Sequence, residues 1–335
     1  MSPLYAVPGV SSLLFGFASG PDLLRLSAVG VFAWAAYRDL ETRRIPNRTW
    51  APLLVVGAVA LAWDLLAVLD GAAFQRRLFA VQTVVSIGLV APLGYVFWRI
   101  GGFGGADAKA IITLAVVFPT YPVYYVLGGA YPIHSAPLGV FSFSILSNTV
   151  VVGLLYPLAL GVRNLPNGEI TPAMFVGRPV ALTDLPGEYG RLLEDADGFT
   201  RRGLDIDALR MYLRWRGRSL AALRSDPDRF RGSLPAAPND PGDGAIRDDD
   251  ATAPGDAEPT DDDPWGAEAF LSEHDAYGTA PAELRDGLGI VADPDRERVW
   301  ITPGIPFVVP MFVGLVLAVS VGDLMFGALG ALGLS

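Results

Sequence analysis

The sequence predicts an all-α polytopic membrane protein with about six transmembrane helices and a soluble cytoplasmic insertion before the last of them. Hydrophobic residues make up 51% of the 335 residues, and the mean hydropathy is +0.38. A soluble domain of this length does not need so much apolar surface. The apolar residues also fall in long runs, and a helix needs roughly 20 of them to cross a bilayer.

Six apolar runs define the predicted spans. The fourth contains Pro119 and Pro122, which predict a kink or a break because proline cannot donate a helical hydrogen bond. The runs cover residues 23–37, 50–69, 78–98, 110–131, 138–162 and 305–334.

The runs divide the chain into a membrane domain (1–162), a soluble insertion (163–302) and a final transmembrane helix (303–335). Within the insertion, residues 203–224 combine apolar residues with arginines on a helical pattern, which predicts a basic amphipathic helix. This helix either lies on anionic headgroups or packs on a small domain of its own. Residues 235–275 are rich in proline, glycine and aspartate, which predicts an acidic disordered linker, with short ordered pieces expected at residues 264–270 and 276–288.

The formal net charge of −10 comes from one segment. Residues 240–275 hold 13 acids against Arg247 alone, so the rest of the chain is slightly positive. Lysine is nearly absent, with Lys109 the one example. An acidic, lysine-poor composition keeps a protein soluble at high salt, and we therefore hypothesise a haloarchaeal source.

The chain has no cysteine, which excludes disulfides and thiolate metal sites. Its two histidines, His134 and His274, are far apart in sequence and do not predict a metal centre. No metal, cofactor or nucleic-acid partner is expected.

Orientation follows from the excess of basic residues in cytoplasmic loops. Successive spans cross the membrane in opposite directions. The loop before Asp107 and the insertion are therefore expected on the same side as the loop after the first span. Asp39 and Asp107 are both expected at the cytoplasmic border of the membrane. The arginines of the loop after the first span are Arg38, Arg43, Arg44 and Arg48.

Acids at membrane depth are costly and often functional. Two neighbouring carboxyls in a partly desolvated site cannot both ionise easily, which is the arrangement an aspartic peptidase uses. The ionised partner takes a proton from the attacking water, and the protonated partner hydrogen-bonds the peptide carbonyl. The simpler alternative is that Asp107 only caps the fourth helix.

Glycines surround the second aspartate. They leave the backbone nearly without side chains, which permits close approach by an extended substrate. Irregular backbone at this depth is tolerated when it is buried in protein or lines water. The glycines are Gly101, Gly102, Gly104 and Gly105.

Two motifs resemble those of the type IV prepilin peptidases, especially the archaeal preflagellin and prepilin peptidases. The first reads Asp39-Leu-Glu-Thr-Arg-Arg-Ile-Pro-Asn47 and the second Gly104-Gly105-Ala106-Asp107-Ala108-Lys109. The second is similar to the G-x-G-D element of membrane aspartic proteases, with Ala106 in place of the second glycine. The resemblance covers about residues 22–130 and the six-span layout.

The resemblance implies an aspartic endopeptidase (peptidase family A24) in the cell membrane. It would remove leader peptides from precursor pilins and archaellins at the cytoplasmic face, with the bilayer as its environment. The tetracysteine element of many bacterial members is missing, so we expect peptidase activity only. The implied catalytic residues are Asp39 and Asp107, and the supporting residues are Gly102, Gly104, Gly105 and Lys109.

Three other functions remain open at this point. The first is an intramembrane protease with other single-span substrates. The second is a proton-coupled transporter, since membrane carboxylates also relay protons, although such proteins more often show internal repeats and broken helices at the midplane. The third is a membrane scaffold that uses the acidic segment as a partner site.

Overall fold

The structure is a computed structural model, and the chain is mostly helical. Its contacts divide it into two compact units, which we call the first unit (Met1–Tyr156 with Pro306–Ser335) and the second unit (Pro157–Ile305). The structure describes residues 13–14, 16–100, 103–165, 172–195, 198–200, 203–247, 257–259, 262–303 and 306–333.

Thirteen α-helices run through the described residues. A π-helical segment, Ser86–Val90, joins α3 to α4. The helices are α1 (Gly20–Thr42), α2 (Trp50–Leu69), α3 (Ala73–Val85), α4 (Ala91–Arg99), α5 (Gly105–Val117), α6 (Phe141–Asn164), α7 (Ile206–Arg216), α8 (Leu220–Ser225), α9 (Pro227–Arg231), α10 (Ala267–Glu273), α11 (Pro281–Val291), α12 (Val308–Ser320) and α13 (Leu324–Ala331).

Nine short strands accompany the helices, so the expectation of an all-α protein is wrong in this respect. One hairpin belongs to the first unit, and the second unit holds a three-stranded antiparallel sheet in the order β3-β9-β4. The strands are β1 (Tyr124–Val126), β2 (Gly129–Tyr131), β3 (Arg178–Ala181), β4 (Arg191–Leu192), β5 (Glu194–Asp195), β6 (Gly198–Phe199), β7 (Ser233–Pro235), β8 (Ala257–Pro259) and β9 (Arg298–Thr302).

Three described helical stretches are long and apolar enough to cross a membrane: Asn47–Leu69, Ala73–Arg99 and Phe141–Asn164. A shorter apolar helix, Val308–Ser320, lies near the end of the chain. The count of clear spans is thus lower than the six expected. One reason is that α1 carries charged residues at both of its ends, which lowers its hydropathy.

Two of the predicted spans are interrupted. The fourth run forms a helix only as far as Val117, and the hairpin of β1 and β2 follows the two prolines. The final run forms α12 and α13 rather than one helix. Gly322 adopts a positive φ of 97° between them, and the Asp323 carboxylate caps α13 by accepting from the Phe326 amide at 3.1 Å.

The second unit packs its core around α7, and this observation decides between the two alternatives for the basic helix. Its arginines are buried and donate to backbone carbonyls. Arg210 Nε donates to the Gly244 carbonyl at 2.6 Å, and Arg216 Nη1 donates to the Phe230 carbonyl at 2.8 Å. Burial lowers the pKa of Arg216. The helix therefore packs inside its own domain.

The expectation of a disordered linker over residues 235–275 is wrong for much of its described part. Trp265 and Phe270 are 3% and 0% exposed and belong to the core of the second unit. The Asn239 amide donates to the Trp215 carbonyl at 3.0 Å. Composition indicated disorder because the acids and glycines outnumber these aromatic residues, yet the two buried rings anchor the segment. Residues 248–256 lie outside the described part of the chain.

Candidate active site

Asp39 lies in the last turn of α1, where it is 8% exposed. The helix begins after Ser19, whose hydroxyl accepts from the Asp22 amide at 3.3 Å. It ends at Arg43, which has a left-handed φ of 54°. The helix therefore places Asp39 against the protein interior, and Ile45 of the following motif residues packs in the same core.

A backbone amide from the far end of the chain contacts Asp39. The Val308 N–H donates to Asp39 Oδ2 at 3.3 Å. Val308 is the first residue of α12, and the amide groups at a helix N-terminus favour a negative charge. The charge of Arg43 also acts on Asp39. The Val308 amide and Arg43 are thus two positive neighbours of this side chain.

Asp107 lies in the first turn of α5 and is half-buried. Its Oδ2 accepts from the Gly104 amide at 3.1 Å. The capping role considered as the simpler alternative is therefore real. It does not exclude a catalytic role. Asp39 and Asp107 are 68 positions apart in the chain, and the helices that carry them, α1 and α5, both contribute residues to one hydrophobic core.

The glycines before Asp107 have unequal surroundings. A Cβ atom on Gly104 would lie 3.1 Å from Asp107 Oδ2, whereas one on Gly105 would lie 3.7 Å from Trp98 Nε1, an ordinary contact. A side chain at position 104 would therefore crowd the Asp107 carboxylate more closely than one at position 105 would crowd its neighbour. Gly102, also expected to support the site, lies outside the described residues.

Lys109 links the two sequence motifs. Its Nζ donates to Asn47 Oδ1 at 2.6 Å. Asn47 begins the 3₁₀ turn that precedes α2. The lysine thus holds the loop after Asp39 against the helix that carries Asp107, which is a role in positioning the two elements.

A stack of phenylalanines connects the two backbone donors. The rings of Phe103 and Phe307 are stacked with centroids 4.8 Å apart, and Phe97 lies 5.0 Å from Phe103. Phe103 directly precedes Gly104, and Phe307 directly precedes Val308. Sequence analysis missed Phe307 and Val308, since they lie beyond the insertion and belong to no motif.

Two other acids in apolar runs have different partners. Asp64 forms an ion pair with Arg25 of α1, and Asp323 accepts from Ser144 Oγ at 2.7 Å. Among the described residues, no three histidine, cysteine or acidic side chains form a group that could hold a metal ion. Asp64 and Asp323 thus have structural partners of their own.

Comparison with known proteins gave several matches. A preflagellin peptidase of Methanococcus voltae is 26% identical over 136 residues, which are 40% of this chain and 54% of that protein. A preflagellin peptidase of Methanocaldococcus jannaschii is 20% identical over 304 residues, 90% of this chain and 94% of that protein. A prepilin peptidase of Methanothermobacter thermautotrophicus is 30% identical over 124 residues, 34% of this chain and 30% of that protein.

These alignments cover different fractions of the proteins. The chain spans just over half the length of the Methanococcus voltae relative, whereas the alignment with the Methanocaldococcus jannaschii protein covers nearly all of both chains. No solved structure matches the chain. Residues 26–158 of this chain, a range that contains both aspartates, match the type IV leader peptidase family.

Proposed function

We propose that this protein is a membrane aspartic endopeptidase that removes the leader peptide of type IV pilin-like precursors, including prepilins and preflagellins. The observation that carries the proposal is the pair of Asp39 and Asp107. Each side chain accepts a hydrogen bond from a backbone amide, and the helices that carry them contribute residues to one hydrophobic core. The family match over residues 26–158 and the names of the relatives agree with this activity.

In the mechanism we infer, the two carboxyls share one proton. We assign Asp39 as the base, because its carboxylate accepts the Val308 N–H at the N-terminus of α12. It takes a proton from the water that attacks the scissile carbonyl. Asp107 carries the shared proton, donates a hydrogen bond to the carbonyl oxygen and then protonates the leaving amine.

We further propose that the chain crosses the membrane six times, with the active site at the cytoplasmic face. The 23 residues of α1 give a helix of roughly 34 Å, long enough for the hydrocarbon core. The arginines after α1 support a cytoplasmic position for that end of the helix. The substrate's leader would approach Asp39 and Asp107 from this side.

The test of this function is direct cleavage. Membranes that contain the full chain are mixed with a precursor archaellin or pilin. Loss of the leader is followed on a gel, and mass spectrometry identifies the bond that is cut. We expect a single cut between the leader and the hydrophobic helix of the precursor. An intact precursor after prolonged incubation with correctly folded protein would contradict the proposal.

Gly104→Ala is expected to slow cleavage about tenfold, because the added methyl group crowds the Asp107 carboxylate. The expected cost, about 1.4 kcal/mol, equals the loss of one hydrogen bond to a charged group. Gly105→Ala is the matched control, since its methyl group meets only an ordinary contact. Initial cleavage rates measure the effect. Equal rates for the two variants would show that space beside Asp107 does not limit the reaction.

Phe307→Ala is expected to lower the cleavage rate by about tenfold. The change removes the ring that packs on Phe103, a contact of about 1 kcal/mol, and loosens the Val308 amide that holds Asp39. Phe307→Tyr keeps the ring and should cleave at nearly the normal rate. Phe199→Ala removes an exposed ring of the second unit and serves as the control. If Phe307→Ala cleaves like Phe307→Tyr, the stack does not position the donors.

A further inference from the structure

The second unit contains a polar cavity where α6 ends. Its volume is about 350 Å³. Three of its six lining residues are arginines, and two of these belong to the paired strands β3 and β9. The lining residues are Arg163, Asn164, Arg178, Pro179, Ala181 and Arg298. We call this cavity the arginine pocket.

The arginine pocket has an excess of positive charge. Arg178 forms an ion pair with Glu188. Arg163 and Arg298 are exposed, and neither forms an ion pair with any side chain that the structure describes. Among the described side chains, the three guanidinium groups of the cavity are therefore paired with one carboxylate, that of Glu188. Such a set of like charges is stabilised by an anion that enters the cavity.

The backbone around the arginine pocket is held in place. Asn164 is 2% exposed, and its Nδ2 donates to the carbonyls of Met174 and Gly177, each at 2.7 Å. These bonds join the end of α6 to the residues that lead into β3. Ala181 of β3 lies opposite Arg298 of β9. The arginines thus extend from a helix end and a strand pair that are tied together before any ligand arrives.

The position of the arginine pocket along the chain indicates which anion it meets. Arg163 is in the last turn of α6, and Phe141–Asn164 is long and apolar enough to cross a membrane. The end of such a helix lies at the level of the lipid headgroups. Guanidinium groups bind phosphate oxygens through paired hydrogen bonds, and basic pockets at this level bind anionic headgroups.

We propose that the arginine pocket binds the phosphate group of an anionic lipid headgroup. Arg163 and Arg298 bind the phosphate oxygens, and Arg178 contributes its charge while it keeps its bond to Glu188. The bound lipid would hold the second unit to the membrane at the end of α6. This role is independent of the peptidase reaction, because it involves neither Asp39 nor Asp107.

The experiment is lipid binding by the purified full chain. Phosphatidylglycerol or phosphatidylcholine is added to the protein in a neutral detergent, and native mass spectrometry counts the bound lipids. We expect phosphatidylglycerol to be retained in preference to phosphatidylcholine. Arg163→Gln and Arg298→Gln should each weaken this binding by about tenfold, the loss of one charged hydrogen bond. Arg229→Gln removes the same charge from an exposed position outside the pocket and should bind normally.

Circular dichroism melting of each variant separates binding from folding. If Arg298→Gln fails to fold, Arg163→Gln on the neighbouring helix carries the test. The proposal is overturned if phosphatidylcholine binds as well as phosphatidylglycerol, or if Arg229→Gln weakens binding as much as the pocket variants. Inorganic phosphate is added as a competitor. If it binds the pocket as tightly as the lipid does, the site takes free phosphate and the lipid assignment is wrong.

Discussion

Asp39→Asn is expected to abolish removal of the leader peptide while the protein still accumulates in the membrane. Asparagine keeps the shape of the side chain but cannot accept a proton from water. Loss of a general base lowers a rate by about 10²–10⁴-fold, which leaves no product on a gel. The Val308 amide can still donate to the asparagine oxygen, so the contact with α12 survives. The effect should therefore lie in the rate and not in the stability.

Asp107→Asn should give the same loss, and the double variant should be no slower than either single variant. Residues that act as one unit have strongly non-additive effects. Asp70→Asn, an exposed acid after α2, is the matched control and should process precursors normally. Normal processing by Asp39→Asn or by Asp107→Asn would show that the reaction does not depend on that acid.

Arg25→Leu is expected to destabilise the first unit by about 3–5 kcal/mol, the cost of removing one partner from a buried ion pair. Arg25 is 1% exposed. It binds Asp22 at 2.9 Å, pairs with Asp64 and donates to the Val117 carbonyl at 2.9 Å. Leucine leaves the buried carboxylate of Asp22 and the half-buried carboxylate of Asp64 without this positive partner. Thermal unfolding in detergent micelles and the yield from membranes measure the loss.

Asp64→Asn should cost less than Arg25→Leu, because Arg25 and Asp22 remain as a neutral pair. Folded protein of the Asp64→Asn variant should cleave precursors, since Asp64 has a structural partner and no place in the proposed chemistry. Arg77→Leu changes an exposed arginine and is the control for loss of charge. A melting temperature of Arg25→Leu equal to that of the control would contradict the role of this ion-pair cluster.

Much of the candidate site was predictable from local sequence. Asp39 and Asp107 each lie in a short motif, and the loop arginines after Asp39 suggested which side of the membrane both would share. Gly104 was expected to permit close approach by a substrate, which stays a prediction, and its proximity to the Asp107 carboxylate was not foreseen. Lys109 was expected near the site, but its contact with Asn47 was not foreseen, since it joins two motifs 62 residues apart.

The fold was less predictable from the sequence where one apolar run contains a break between two helices. Hydropathy treats residues 305–334 as one span, yet Gly322 and Asp323 end one helix and begin another. A positive φ and a helix cap are properties of two residues, which an average over a long window cannot detect. In the acidic segment, composition indicated disorder where the structure has order. Trp265 and Phe270 are only two residues, but they are large and buried.

The sequence by itself determined that the chain is rich in membrane-length helices and that two motif aspartates are the candidates for catalysis. Both conclusions rest on residues that are close together in the chain. Only the tertiary structure decided what holds those aspartates. The amide that binds Asp39 comes from Val308, 269 residues away, and the ring beside that amide packs on the residue before Gly104. A backbone amide carries no sequence signature, so its role appears only when the helices are packed.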